Sequence, residues 1–212
     1  MKSKGYVLCL DFGTSSIKGG LIDSDGRLSA WEREGLLSDP ESNLQSWAPA
    51  VWTRAFKRIV TRMRRSSLFA AGSLRAVVIS GNGPTIVPVD RRGMAMGEAL
   101  LWIDKRALPA AGGKSFFLPK IRWIQENNPK LYEETGSFLS FPEYLNLYLT
   151  GEAATISPSD EFKEFIWTSE EIASIGLDSH KFPPFIGIGD QIGRVGRGAG
   201  TEIGLPEGLP VV

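Results

Sequence analysis

Residues 6–23 constrain the fold of this chain more than any other stretch. They begin with the apolar run 6–10, whose length predicts one buried β-strand. Asp11 places a carboxylate where that strand ends, and Gly13-Thr14-Ser15-Ser16 comes shortly after it. The chain therefore opens with a strand that leads an acidic side chain into a turn of one glycine and three hydroxyl residues.

The residues after this turn predict two further strands. The first covers residues 17–23 and leads into Asp25-Gly26, a dipeptide typical of hairpin turns. We expect positive φ at both residues of that dipeptide, as a two-residue hairpin of this kind requires. Residues 27–32 then predict the third strand. The chain thus starts as three consecutive strands joined by tight turns.

The turn at residues 13–16 has two interpretations. In the first it holds a phosphate, because Gly13 lets an anion approach the backbone N–H groups and the hydroxyl residues add donors. Asp11 repels phosphate but can hold Mg²⁺ or the waters of that ion. In the second it is an ordinary β-turn, in which threonine and serine are common. The spacing of these residues alone does not separate the two.

The composition limits the kinds of partner that the chain can have. Lysine plus arginine and aspartate plus glutamate each number 24, so the net charge of zero argues against a surface for nucleic acid or anionic membrane. Cys9 is the single cysteine and His180 the single histidine, which excludes an internal disulfide and a multi-histidine metal site. No apolar run is long enough for a transmembrane helix. We expect a cytoplasmic protein that binds a small molecule. The sequence does not decide between a monomer and a homodimer.

The rest of the chain predicts helices that alternate with strands. A helix is expected from Trp47 to Met63, with Ser46 as its N-cap, an apolar stripe toward a sheet and a basic face toward solvent. The β-branched run 76–79 predicts a buried parallel strand. Further helices are predicted at residues 119–127, 130–134, 142–150 and 169–174, and further strands at residues 86–90, 100–102 and 209–212.

Residues 10–15, which read Leu-Asp-Phe-Gly-Thr-Ser, and Lys18 resemble the first phosphate motif of the FGGY carbohydrate kinases. The resemblance implies an α/β fold of the actin-like ATPase (ribonuclease H-like) type, with a mixed β-sheet and flanking helices. It also implies ATP and Mg²⁺ as cofactors, with Asp11 as the metal-binding residue. The cofactor-binding residues that it implies are Asp11, Gly13, Thr14, Ser15 and Lys18.

Residues 101–106 resemble the Trp-x-Asp-x-Arg segment of the same family, and residues 81–85 correspond to a loop of its sugar pocket. Glycerol kinases carry Arg-Glu and xylulokinases Met-His where this chain has Gly83-Pro84, so the loop supports neither substrate. Asn82 resembles a glutamine of the family. The substrate-binding residues that the resemblance implies are Asn82, Gly83, Trp102, Asp104 and Arg106.

Asp104 has two interpretations of its own. Its carboxylate could accept hydrogen bonds from two sugar hydroxyls, because a carboxylate has two oxygens in one plane. Alternatively, Asp104 and Arg106 form a surface ion pair on a loop. The match to the family segment favours the contact with the sugar.

Gly189-Asp190-Gln191 imitates the catalytic Gly-Asp-Gln motif of the family. The residues around it match a different family segment, in which Asp190 lies in a turn before a hairpin strand. The general-base aspartate is instead expected after Val212, so no catalytic residue is expected within the chain. Residues 1–212 would then be a single N-terminal, sugar-binding domain that lacks the C-terminal ATP-binding domain and is inactive alone.

The activity that the resemblance implies is ATP-dependent phosphorylation of a sugar or polyol hydroxyl, with a pentulose favoured. The alternative is a catalytically inactive sugar-binding or sensing remnant of the same fold, which the Gly83-Pro84 loop favours. The intact motif from Asp11 to Lys18 favours the kinase, because a sensor does not need a phosphate turn.

Overall fold

The computed structural model of the protein describes residues 5–36, 46–69, 72–81, 83–106 and 113–212. Its strands are β1 (Tyr6–Phe12), β2 (Ser16–Asp23), β3 (Leu28–Gly35), β4 (Ser46–Trp47), β5 (Leu74–Gly81), β6 (Ile86–Val89), β7 (Ala99–Leu100), β8 (Ser137–Ser140), β9 (Thr155–Ser157), β10 (Phe185–Gly187), β11 (Gly193–Arg194) and β12 (Pro210–Val211). Its helices are α1 (Ala50–Met63), α2 (Leu118–Asn127), α3 (Pro129–Glu134), α4 (Phe141–Thr150), α5 (Lys163–Ile166), α6 (Ser169–Ser174) and α7 (Arg197–Ile203).

The strands form a six-stranded mixed sheet in the order β11-β12-β5-β1-β2-β3, a four-stranded sheet in the order β4-β7-β6-β8, and the pair β10-β9. In the large sheet β5 is parallel to β1, and β12 is parallel to β5, with Val211 opposite Val77. The parallel strand predicted at residues 76–79 is therefore confirmed, as is the strand predicted at residues 209–212.

The hairpin between β2 and β3 differs from its prediction. Of the two residues Asp25 and Gly26, only Gly26 has positive φ, at 76°. No residue other than glycine has positive φ in the described part of the chain. The Gly26 N–H donates to the Asp23 carbonyl at 3.0 Å, and the Asp23 carboxylate accepts the N–H groups of Asp25 and Arg27 at 2.9 and 3.0 Å. The Asp23 side chain thus holds a longer turn, in which Asp25 does not need a left-handed backbone.

Helix α1 begins at Ala50, so the predicted start at Trp47 is wrong. Trp47 instead lies in β4, opposite Ala99 of β7, and its buried ring packs 5.5 Å from the ring of Trp52. The helix turns its predicted apolar stripe toward the large sheet. The buried residues of the stripe are Val51, Trp52, Ala55, Phe56, Ile59, Val60 and Met63.

The basic face of α1 is partly paired rather than purely solvated. Arg62 binds Glu32 at 3.0 Å and Glu34 at 2.7 Å, and Arg58 also binds Glu34. Burial alone would raise the pKa of Glu34, but the hydrogen bonds from Arg62 and Arg58 lower it overall. These ion pairs fasten the edge strand β3 to the helix.

Helix α4 confirms the prediction at residues 142–150 and is capped at both ends. Ser140 and Glu143 form a capping box at its start, and Gly151 ends it with a φ of 81°. The carboxylate of Glu143 is buried and accepts the N–H of Ser140 at 2.7 Å and that of Ile156 at 2.8 Å. Burial raises the pKa of Glu143 to about 7 against these hydrogen bonds.

The two faces of the large sheet have different surroundings. On one face the Phe12 ring contacts Phe56 of α1 and Phe141 of α4, with centroids 5.8 and 5.2 Å apart. On the other, the register aligns the apolar or small residues of β1 with those of β2, β3 and β5. We call this second surface the outer face; its residues include Val7, Cys9, Gly20, Ile22, Leu28, Trp31 and Val78. Leu28 and Trp31 are 57% and 63% exposed, so part of this face is open to solvent.

A second apolar core lies between α2, α3, α6 and β8, and Ile121, Phe138 and Trp167 belong to it. The helices predicted at residues 119–127, 130–134 and 169–174 are confirmed here within one residue at each end. Within the described ranges, no helix combines the length and the apolar character that a membrane span requires.

Candidate active site

The carboxyl ends of β1 and β5 lie side by side at one edge of the large sheet. Their register places Asp11 opposite Ser80 and Phe12 opposite Gly81. β12 runs in the same direction on the other side of β5. Ligands of open α/β sheets bind at such an edge, because the loops that follow the parallel strands meet there. The turn at residues 13–16, which we call the hydroxyl turn, follows β1 at this edge.

A hydrogen bond from the Gly13 N–H to the Ser16 carbonyl, at 3.0 Å, closes the hydroxyl turn. A Cβ on Gly13 would lie 3.2 Å from that carbonyl oxygen, so the turn uses the small size of glycine. Ser16 differs from the expectation of an anion donor, because it is buried in β2 and so is not accessible to a ligand at the turn; its hydroxyl accepts the Nε–H of Arg33 at 3.1 Å. Thr14 and Ser15 are the accessible hydroxyl residues of the turn, and an anion-binding role stays a prediction for these two.

Asp11 and Lys18 face each other across β1 and β2. Asp11 Oδ2 and Lys18 Nζ are 3.5 Å apart, and their side chains are 56% and 61% exposed. Among the residues that the structure describes, no three His, Cys, Asp or Glu side chains cluster closely enough to hold a metal ion. Mg²⁺ commonly uses one or two carboxylates and completes its shell with waters and substrate phosphates. Asp11 therefore fits an ion that arrives with a nucleotide.

Trp102 connects the hydroxyl turn to the segment that resembles sugar-binding residues. Its indole Nε1–H donates to Thr14 Oγ1 at 3.0 Å, and its backbone N–H donates to Thr85 Oγ1 at 3.2 Å. The strand predicted over residues 100–102 ends at Leu100 instead, and Trp102 lies in a turn. Its side chain remains accessible, with 48% of the residue exposed, so the ring offers a flat surface to a ligand.

Asp104 and Arg106 form a closed ion pair, in which the Asp104 side chain is 2% exposed and the Arg106 side chain 42%. Arg106 Nε donates to both carboxylate oxygens at 3.1 and 3.0 Å, Nη2 donates to Oδ2 at 2.6 Å, and the backbone N–H donates to Oδ1 at 2.9 Å. Burial would raise the pKa of Asp104, but the bonds from Arg106 lower it overall. Because a carboxylate has about four acceptor positions, a sugar contact at Asp104 requires this pair to open.

Helix α2 adds two residues to this cluster that sequence reasoning missed. Lys120 is only 5% exposed, and burial lowers the pKa of its ammonium group although Asp104 acts in the opposite direction. The guanidinium carbon of Arg106 lies 4.9 Å from the ring centroid of Trp123. Helical spacing places Lys120 one turn before the buried Ile124. The sequence therefore contained a sign that Lys120 is buried, because it lies on the apolar stripe of the helix.

The remaining predicted residues have different outcomes. Asn82 lies outside the described residues. Gly83 is exposed, and a Cβ at this position would lie 4.0 Å from the Cβ of Trp102, so it borders the same surface. Asp190 lies in the turn between β10 and β11, where its carboxylate accepts the Gly187 N–H at 2.8 Å. The expected turn position of Asp190 is confirmed.

Comparison with curated proteins finds sugar kinases. The chain is 27% identical over 217 residues to a xylulose kinase of Lactococcus lactis, 24% over 229 residues to a xylulose kinase of Bacillus subtilis, and 23% over 232 residues to an L-fuculokinase of Escherichia coli. The alignments cover 90%, 95% and 97% of this chain but 43%, 46% and 49% of the relatives. The chain thus spans about half the length of the curated relatives it matches.

Solved structures confirm the predicted fold. A xylulose kinase from Rhodospirillum rubrum superimposes with a TM-score of 0.81 at 21% identity, over 97% of this chain and 48% of that one. A gluconate kinase from Lactobacillus acidophilus superimposes with a TM-score of 0.81 at 16% identity, over 99% of this chain and 47% of that one. The model for the N-terminal domain of the FGGY family of carbohydrate kinases matches residues 6–112 and 113–212. Since these matches span almost the whole chain, the protein belongs to the FGGY family of carbohydrate kinases.

Proposed function

We propose that this chain is the sugar-binding part of an ATP-dependent kinase that phosphorylates a hydroxyl group of a sugar or polyol, with a pentulose as the favoured substrate class. The hydrogen bond between Trp102 and Thr14 carries this proposal, because it joins a turn suited to phosphate to a segment suited to a sugar. The family match and the xylulose kinases among the relatives support it.

On the nucleotide side, the residues position phosphate and balance its charge, which is most of what phosphoryl transfer asks of a protein. Gly13 brings backbone N–H groups close to a phosphate oxygen. Thr14 and Ser15 add hydroxyl donors, and Lys18 adds a positive charge. Asp11 would hold Mg²⁺, and that ion would neutralise the charge that develops on the transferring phosphoryl group.

On the sugar side, Trp102 presents its exposed ring to the substrate. Arg106 is the better placed donor of hydrogen bonds, because its guanidinium is partly exposed while Asp104 is buried behind it. Asp104 then orients Arg106 or, if the pair opens, contacts the sugar itself. Gly83 leaves space beside Trp102, and Asn82 stays a candidate substrate residue.

We propose further that residues 1–212 act as one N-terminal domain of a longer protein, because the relatives are about twice as long as the chain. The rest of that protein would supply the adenosine site and a general base after Val212. The base takes the proton of the attacking hydroxyl, whose oxygen then bonds to the γ-phosphorus as ADP leaves in line.

The test is sugar-dependent ADP formation by the full-length protein with xylulose, fuculose, gluconate and glycerol. We expect the full-length protein to turn over xylulose, the pentulose of this panel, and the 212-residue chain alone to show little or no turnover. Asp11→Ala should lower turnover on the order of a hundredfold and leave sugar binding intact, since Asp11 serves the phosphate. Asp25→Ala, at the exposed hairpin, is the matched control. Equal loss of both properties in Asp11→Ala would refute the role of Asp11.

The second candidate is a catalytically inactive sugar-binding module. Gly83 and Pro84 favour it, because they stand where glycerol kinases carry Arg-Glu and xylulokinases carry Met-His. A full-length protein that binds a sugar in calorimetry and forms no ADP would establish this candidate and exclude the kinase.

A further inference from the structure

Trp102 is held by two threonine hydroxyls from different segments. Thr14, in the hydroxyl turn, accepts the indole N–H, and Thr85, which is fully buried just before β6, accepts the backbone N–H. The backbone of Trp102 is thus anchored on the body of the protein. Its ring reaches across the sheet edge to a residue 88 positions earlier in the chain.

The hydrogen bond between the two side chains has a fixed direction. An indole N–H can only donate, so Thr14 Oγ1 must be the acceptor, and the proton of the Thr14 hydroxyl is not used in this bond. Any rotation of the Trp102 ring away from Thr14 breaks the bond. The orientation of the ring and the orientation of the Thr14 hydroxyl are therefore linked.

We infer that this bond couples sugar binding to nucleotide binding, with Trp102 and Thr14 as positioning residues; the inference rests on the proposed kinase function. A sugar that packs on the exposed ring of Trp102 restricts its rotation. The restricted ring keeps its N–H on Thr14, and the Thr14 hydroxyl then keeps the orientation in which it donates to a phosphate oxygen.

The coupling must act in both directions, because two ligands that share one linked element change each other's affinity by the same factor. One neutral hydrogen bond is worth about a factor of three to ten in an equilibrium constant. We therefore expect a bound sugar to tighten nucleotide binding by about that factor, and a bound nucleotide to tighten sugar binding equally.

The experiment measures, by calorimetry on the full-length protein, the Kd of a non-hydrolysable ATP analogue with Mg²⁺, with and without xylulose. Thr14→Val removes the acceptor and keeps the shape of the side chain, and Trp102→Phe removes the N–H and keeps an aromatic ring. Either change should bring the ratio of the two Kd values close to one. Thr14→Ser keeps the hydroxyl and should preserve the ratio. The double variant should lose no more than either single one.

The outcomes separate this inference from the kinase proposal. A wild-type protein that forms ADP with a sugar but shows the same Kd ratio as Thr14→Val and Trp102→Phe would overturn the coupling alone. Additive losses in the double variant would overturn it as well. A wild-type protein that forms no ADP with any sugar would remove the kinase function and the coupling together. Thermal unfolding of each variant shows whether it is folded, and either single variant suffices for the test.

Discussion

The buried carboxyl group of Glu143 predicts that the protein loses stability as the pH rises toward neutrality. Its pKa is raised by burial from 4.5 to about 7 in the folded state. Between these values the folded protein binds a proton that the unfolded chain has released, so the free energy of unfolding falls as the pH increases. The stabilisation that this proton gives the folded state is complete below pH 4.5 and is lost by about pH 7. Each pKa unit corresponds to about 1.4 kcal/mol, which gives a loss of roughly 3 kcal/mol over this range.

Urea unfolding of wild type and Glu143→Gln at several pH values between 5 and 8 measures this effect. Glutamine models the neutral acid and can retain the capping box, so the wild type should lose roughly 2–3 kcal/mol relative to the variant between pH 5 and 7. Glu133→Gln, an exposed change of the same chemistry, should follow the wild type. A constant difference between wild type and Glu143→Gln would refute the reasoning. It would mean that the N–H groups of Ser140 and Ile156 keep the carboxylate ionised.

Three further changes test the packing that supports the site, each by urea unfolding. Asp104→Ala should cost about 3 kcal/mol, because it breaks the buried, multiply hydrogen-bonded pair with Arg106; a cost near zero would show that this pair does not stabilise the fold. Arg62→Met should cost about 1 kcal/mol, and the cost should shrink in high salt if the ion pairs to β3 cause it. Gly151→Ala should cost about 1 kcal/mol because of its left-handed backbone, whereas Gly198→Ala, inside α7, should be neutral or stabilising.

The parts of the structure that depend on local pattern were predictable from the sequence. The run 76–79 is buried on one side and half-buried on the other, and its apolar composition identified β5 correctly. Gly151 ended α4 as expected, since a helix commonly closes with a left-handed glycine. Asp11 near the end of β1 and Gly13 just after the strand also placed the hydroxyl turn at the sheet edge, because strand, carboxylate and turn are adjacent in the chain.

The parts that depend on distant partners were not predictable. Trp47 continues the apolar periodicity of α1, yet it lies in a two-residue strand and pairs with Ala99. No local sequence pattern predicts that strand. Ser16 stands in a row of hydroxyls, but Arg33 on the neighbouring strand binds its side chain. The burial of Asp104 likewise depends on tertiary packing around it. The ligand roles of the site residues stay predictions until a sugar is bound.

The outer face of the large sheet provides the protein with a natural chemical probe. Cys9, the single cysteine of the chain, lies half-buried on this face opposite Gly20, which has no side chain to shield it. Burial raises the pKa of its thiol, so alkylation should be slow at neutral pH and faster in mild alkali. A helix, a further domain or a second copy packed over the face would block the reagent. The labelling rate of unmodified protein therefore reports directly whether this side of the sheet is covered.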